Sequence, residues 1–132
     1  MLHLERRRFP RYRAMVNVAL YIFDAIGKKP LTGKVPGCLT DISRKGGCLQ
    51  TNYTRLENYH ILLDADRNGK TVLCLDLPPA SDGTPVSLKA NVVSYNRIDA
   101  RRQFQFDIRL QFPTLSSNEW QHLEGLINSA RA

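Results

Sequence analysis

The feature that most constrains the fold lies near the C-terminus, where Phe104, Phe106, Ile108, Leu110 and Phe112 alternate with Gln103, Gln105, Asp107, Arg109 and Gln111. A period of two sends successive side chains to opposite faces of an extended chain, so this segment is a β-strand with one face in a core and the other in water. Val16, Val18, Leu20 and Ile22 repeat the pattern against Asn17, Ala19, Tyr21 and Phe23. The composition of the intervening chain predicts further extended segments over 33–40, 48–53, 59–63, 71–77 and 86–95. Turn-forming clusters separate several of them: Gly27-Lys28-Lys29-Pro30, Asp66-Arg67-Asn68-Gly69 and Pro78-Pro79-Ala80-Ser81-Asp82-Gly83.

One helix is predicted at the end of the chain. Ser116 followed by Glu119 makes a capping box, and Trp120, Leu123, Leu126, Ile127 and Ala130 share one helical face. Many short strands and a single terminal helix predict a mainly β fold: a small antiparallel β-barrel of six to seven strands with a C-terminal α-helix and a flexible N-terminal arm. The 132 residues are expected to form a single domain, with the arm over 1–13, the barrel over 14–113 and the helix over 116–130. A chain of this length buries roughly two-thirds of its unfolded surface and needs no disulfide or metal staple.

The charge is uneven. Nineteen Lys and Arg against twelve Asp and Glu leave a net +7 with His neutral. Much of it sits in the first thirteen residues, where Arg6, Arg7, Arg8, Arg11 and Arg13 face only Glu5. Pro10 denies that stretch a continuous helix, which suits an arm that orders on binding. A basic chain seeks an anionic partner, and composition alone leaves nucleic acid, a nucleotide and an anionic membrane open. Cys38, Cys48 and Cys74 are odd in number and widely spaced, as expected of buried reduced thiols. With no C-x-x-C and with His3, His60 and His122 far apart, no metal site is expected, and the histidines read as structural or exposed. The longest apolar stretch, Met15 to Phe23, is far short of the roughly 20 residues of a spanning helix, and the Arg-rich start lacks a clean cleavage site. A cytoplasmic location is the expectation.

Catalysis has little support. Ser43 has no His near it in sequence, no P-loop or H-E-x-x-H occurs, and Asp64 and Asp66 read as a polar loop end. Two other features exceed what a barrel needs. The first is Arg6-Arg7-Arg8-Phe9-Pro10-Arg11; the second, thirty residues after Arg11, is Asp41-x-Ser43-x-x-Gly46-Gly47 between two strands. A guanidinium is a planar, permanently charged fork that donates paired hydrogen bonds to phosphate or to guanine O6 and N7, and it stacks on bases. An ionised Asp41 only accepts, the complement of guanine N1–H and N2–H. Ser43 can bond a ligand or stitch its own loop, as Asp41 can in an Asx-type turn. Gly46 and Gly47 allow positive φ and close backbone approach.

Together these motifs resemble the PilZ domain family, receptor modules for the bacterial second messenger cyclic di-GMP. Its R-x-x-x-R falls on Arg7 and Arg11, and its [D/N]-x-S-x-x-G on Asp41, Ser43 and Gly46. The resemblance runs from Glu5 to the final helix. It implies that Arg7 and Arg11 grip phosphate and guanine edges, that Asp41 and Ser43 contact a guanine from the barrel, and that Gly46 and Gly47 shape the loop. Arg6, just before the R-x-x-x-R, is similar to the class that binds an intercalated ligand pair, while Arg8 and Arg44 are additional candidates. Members often have a glycine shortly before the aromatic end of a late strand, and Asp107-Ile108-Arg109-Leu110-Gln111-Phe112 has none. The implied function is a cyclic di-GMP receptor or adaptor that changes conformation and signals to an effector, without catalysis and without a further cofactor. Two alternatives stand beside it: a small basic barrel binding RNA or single-stranded DNA, and a PilZ-like assembly scaffold that binds no ligand.

Overall fold

The computed structural model describes residues 10–61, 70–98, 103–113 and 115–131. In chain order its elements are β1 (Val16–Asp24), β2 (Lys29–Pro30), β3 (Val35–Thr40), β4 (Gly46–Thr51), β5 (Arg55–Leu56), β6 (Tyr59–His60), β7 (Thr71–Leu77), β8 (Val86–Arg97), β9 (Phe106–Gln111) and α1 (Ser117–Arg131). Six strands hydrogen-bond in the order β1-β3-β4-β9-β8-β7, every neighbouring pair antiparallel, and β7 returns to β1 to close the barrel. Closure leaves no long open edge among these six. β2 extends the sheet by pairing with the end of β1, and β5 with β6 forms a separate small hairpin.

Closure follows from the alternation. Each barrel strand sends one fully buried aliphatic side chain to the centre: Leu20, Leu39, Leu49, Leu75, Leu88 and Ile108, all at most 1% exposed. Leu123 and Ile127 of α1 and Ile42 of the β3–β4 loop are equally buried and belong to the same cluster. Truncating any of these would combine lost transfer energy with a cavity, a cost of about 2–5 kcal/mol. The capping box forms as the sequence predicts. Glu119 N–H donates to Ser116 Oγ at 3.1 Å, and Ser116 N–H donates to Glu119 Oε1 at 2.8 Å. Ser116 is therefore the cap, and the helix starts one residue later. His122 Nε2 lies 2.7 Å from the Pro78 carbonyl oxygen, a structural contact between the helix and the segment after β7.

Several strand boundaries move inward from the sequence pattern. β3 starts at Val35 and not Gly33, because the Gly33 amide donates to a Glu57 carboxylate oxygen at 2.6 Å instead of joining a ladder. β9 starts at Phe106, since the Gln105 amide is taken by the Asn52 side chain at 2.9 Å. Lys29 and Pro30 leave the predicted turn and pair as β2. Of the extended stretch predicted over 59–63, Tyr59–His60 is strand and Ile61 is not, while residues 62–63 and the expected turn at 66–69, with Asp64 and Asp66, lie outside the described residues. Cys38 and Cys74 are buried, as expected, but Cys48 is only part-buried. All three are free thiols, and burial pushes each above the ordinary thiol range. No described helix is long and apolar enough to cross a membrane.

Candidate functional site

The root of the N-terminal arm is tied to the β3–β4 loop by a two-way backbone bridge. Tyr12 N–H donates to the Ile42 carbonyl and Ile42 N–H to the Tyr12 carbonyl, both at 2.7 Å. Extended geometry then sorts the side chains around Tyr12. The Tyr12 ring packs against the core and meets Trp120 of α1 with ring centroids 6.3 Å apart. Its neighbours Arg11 and Arg13 line two clefts that share Asp41 and Cys48. Arg11 Nη1 stands 3.8 Å from Asp41 Oδ2, and both side chains are more than two-fifths exposed. So long and wet an ion pair contributes under about 1 kcal/mol. It presents the two groups side by side while leaving each able to exchange its partner for a ligand.

The loop that carries Asp41 is built for close approach. Asp41 adopts φ 52°, the left-handed region that Asp and Asn tolerate better than most side chains. Of the two things the sequence allowed Gly46 and Gly47, positive φ and close backbone approach, neither glycine uses the first, and among these residues Asp41 alone carries it. The close approach is borne out. A Cβ on Gly46 would lie 2.1 Å from the Leu110 carbonyl oxygen of β9, and one on Gly47 would lie 3.3 Å from the Asp41 carbonyl oxygen. Ser43 is 7% exposed, and its hydroxyl accepts from the Lys45 amide at 3.2 Å and donates to the Gly46 carbonyl at 3.3 Å. Its hydroxyl thus helps to hold the turn.

Arg11, Asp41, Ser43, Gly46 and Gly47 converge on one cleft of about 250 Å³, together with Lys45, Cys48, Val93, Arg109, Leu110 and Gln111. Three cations face one carboxylate there. Arg44, an additional candidate from sequence, does not line this cleft, and its neighbour Lys45 does. Arg109 was not a sequence candidate. It lies on the outward half of the β9 alternation, and the pairing of Cys48 with Arg109 across β4 and β9 sets it beside the loop. Arg6, Arg7 and Arg8 lie outside the described residues.

A family comparison completes the picture: the PilZ domain model matches residues 5–129 of the 132. The chain belongs to the PilZ domain family. PilZ domains as a family are binding modules for cyclic di-GMP, which gives this chain a family role in ligand binding. None of the curated proteins compared with it matches.

The second cleft, about 660 Å³, is lined by Arg13, Thr40, Asp41, Gln50 and Asp107 among others. One Asp107 carboxylate oxygen is buried without a hydrogen-bond partner among the described residues. Burial raises this carboxyl above the ordinary carboxylate range, Asp41 adds to the rise, and Arg109 opposes it. A carboxyl with a raised folded-state pKa costs nothing below its unfolded pKa; the cost grows as pH rises through the folded value and is complete above it. Asp107→Asn is therefore expected to raise the melting temperature at pH 7, with the gain gone by about pH 4. Solvent screening of this part-buried group keeps the gain within about 1 kcal/mol. Thermal unfolding of both proteins across that pH range checks it.

Proposed function

We propose that this PilZ domain is a cytoplasmic receptor or adaptor for cyclic di-GMP and that it signals to a protein effector. One observation carries the reading: the Tyr12–Ile42 bridge sets Arg11, the second arginine of R-x-x-x-R, beside the Asp41 loop. Forked donors and a carboxylate acceptor in one cleft complement a ligand that is both phosphorylated and guanine-bearing. Asp41 accepts from the guanine N1–H and N2–H, while Arg11, Lys45 and Arg109 balance the phosphates. The cleft is below the roughly 300–1,000 Å³ usual for a small-molecule site, so a dinucleotide needs further walls. Arg6 and Arg7, with Arg8 as a further candidate, supply them as the arm folds over the ligand, and Arg6 stacks on an exposed base of an intercalated pair.

Ordering of the arm is the two-state element of the switch. Tyr12 links the arm root to Trp120, so ligand-driven movement there reaches α1. The described residues offer the nucleic-acid alternative no aromatic stacking groove. Such barrels stack bases on exposed aromatics, and among the described residues the one clearly exposed aromatic is Tyr53, outside the cleft.

Titration calorimetry with cyclic di-GMP, cyclic di-AMP, GTP and a mixed oligonucleotide tests the proposal. Binding of cyclic di-GMP well above the other three is expected, weakening as salt rises. Equal binding of all three nucleotides removes guanine-dinucleotide specificity, and tight binding to the oligonucleotide alone favours the alternative.

A further inference from the structure

Four large hydrophobic side chains are conspicuously exposed among the described residues: Met15, Ile26, Tyr53 and Val93. Val93 alone of these lines the cleft that holds Arg11 and Asp41. Its exposure has a local cause. Along β8, Leu88 and Ala90 face inward opposite Leu75 and Leu73 of β7, and Val92 follows them opposite Leu110 of β9. The register then slips: Ser94 pairs with Arg109, leaving Val93 as the extra residue of a β-bulge. Val93 and Ser94 are consecutive exposed residues, and inward alternation resumes at Tyr95. A bulge bends its strand and re-aims a side chain, a device common beside functional sites. Here it holds an isopropyl group 50% exposed, without a ladder partner, next to Arg109.

A site that only balanced phosphate charge would gain nothing from an apolar group on its wall. A planar heteroaromatic ring would, because its face is apolar and its edge carries the hydrogen-bonding groups. We infer that Val93 is the platform against which a guanine face of the ligand lies, while its edge is read by Asp41. The residue then positions the base and contributes to selecting nucleobase-bearing ligands over simple phosphates. This rests on the cyclic di-GMP reading above.

The test pairs calorimetry with methyl NMR on the full chain. Val93→Ala is expected to weaken cyclic di-GMP about fivefold, the effect of losing part of a buried aliphatic contact. Its melting temperature is expected to stay within a few degrees of wild type, because the side chain is already half exposed. Val93→Trp, with a broader platform, is expected to bind at least as tightly as wild type. In the wild-type protein the Val93 methyl signals are expected to move upfield on saturation, the ring-current signature of a base lying over them. Wild-type binding with an unchanged Val93→Ala affinity and unmoved Val93 methyls overturns the platform alone. Failure of the wild-type protein to bind cyclic di-GMP overturns the functional reading, and the platform with it.

Discussion

Gly46→Ala is expected to cost about 3 kcal/mol or more of stability and to lower the melting temperature by roughly 10 °C. The added Cβ would sit 2.1 Å from the Leu110 carbonyl oxygen, far inside any van der Waals contact. The obstacle is backbone in a paired strand, so no side-chain rotation relieves it. Gly46 faces Gln111 in the β4–β9 ladder, and the Lys45 carbonyl accepts from the Phe112 amide at 2.8 Å. Opening that ladder strains a closed barrel and pulls the Asp41 loop from its place. Urea unfolding checks the stability loss. A variant within about 1 kcal/mol of wild type would mean that β4 and β9 separate easily, contrary to the packing described.

Asp41→Gly separates the chemistry of the loop from its shape. Glycine accepts φ 52° with less strain than any other residue, so stability is expected to stay within about 1 kcal/mol of wild type. The carboxylate is gone, however, and a hydrogen bond to a charged group is worth about 1.5–3 kcal/mol. Cyclic di-GMP affinity should therefore fall roughly 30-fold, with guanine selectivity falling most. Arg11→Ala is the companion. Its 3.8 Å exposed ion pair contributes little to folding, so the variant should melt like wild type while binding as poorly as Asp41→Gly. Both variants binding like wild type would place the ligand elsewhere. Asp41→Ala is less informative, because alanine in the left-handed region confounds a binding loss with backbone strain.

The alternation of β1 and β9 was legible because each strand buries one face, so the period of two survives in the residue types. The capping box was legible because it is local, with both partners within three residues. Boundaries such as Gly33 and Phe104 were not, since side-chain acceptors distant in sequence decide whether those backbones join a ladder. In the site, the pairing of motifs named Arg11 and the Asp41 loop, but the bridge that joins them depends on tertiary contact. The Asp at the first loop position does hold a signal of the left-handed backbone, but Gly46 and Gly47 nearby offer the same conformation and obscure it. Arg109 read as one of many solvated charges on the polar half of a strand, and only cross-strand register gives it a place. Val93 was hidden more deeply. Its bulge contains no glycine, and the slip shows only against the partner strand.

The measurement closest to the central claim is a backbone amide titration with cyclic di-GMP, read residue by residue. Binding in the cleft is expected to shift Arg11, Asp41 through Gly47, Val93 and Arg109 together at one apparent affinity, with the outward face of β1 and β7 unmoved. Shifts confined to the Tyr21 and Asp76 side of the barrel, or no shifts at saturating ligand, would contradict it.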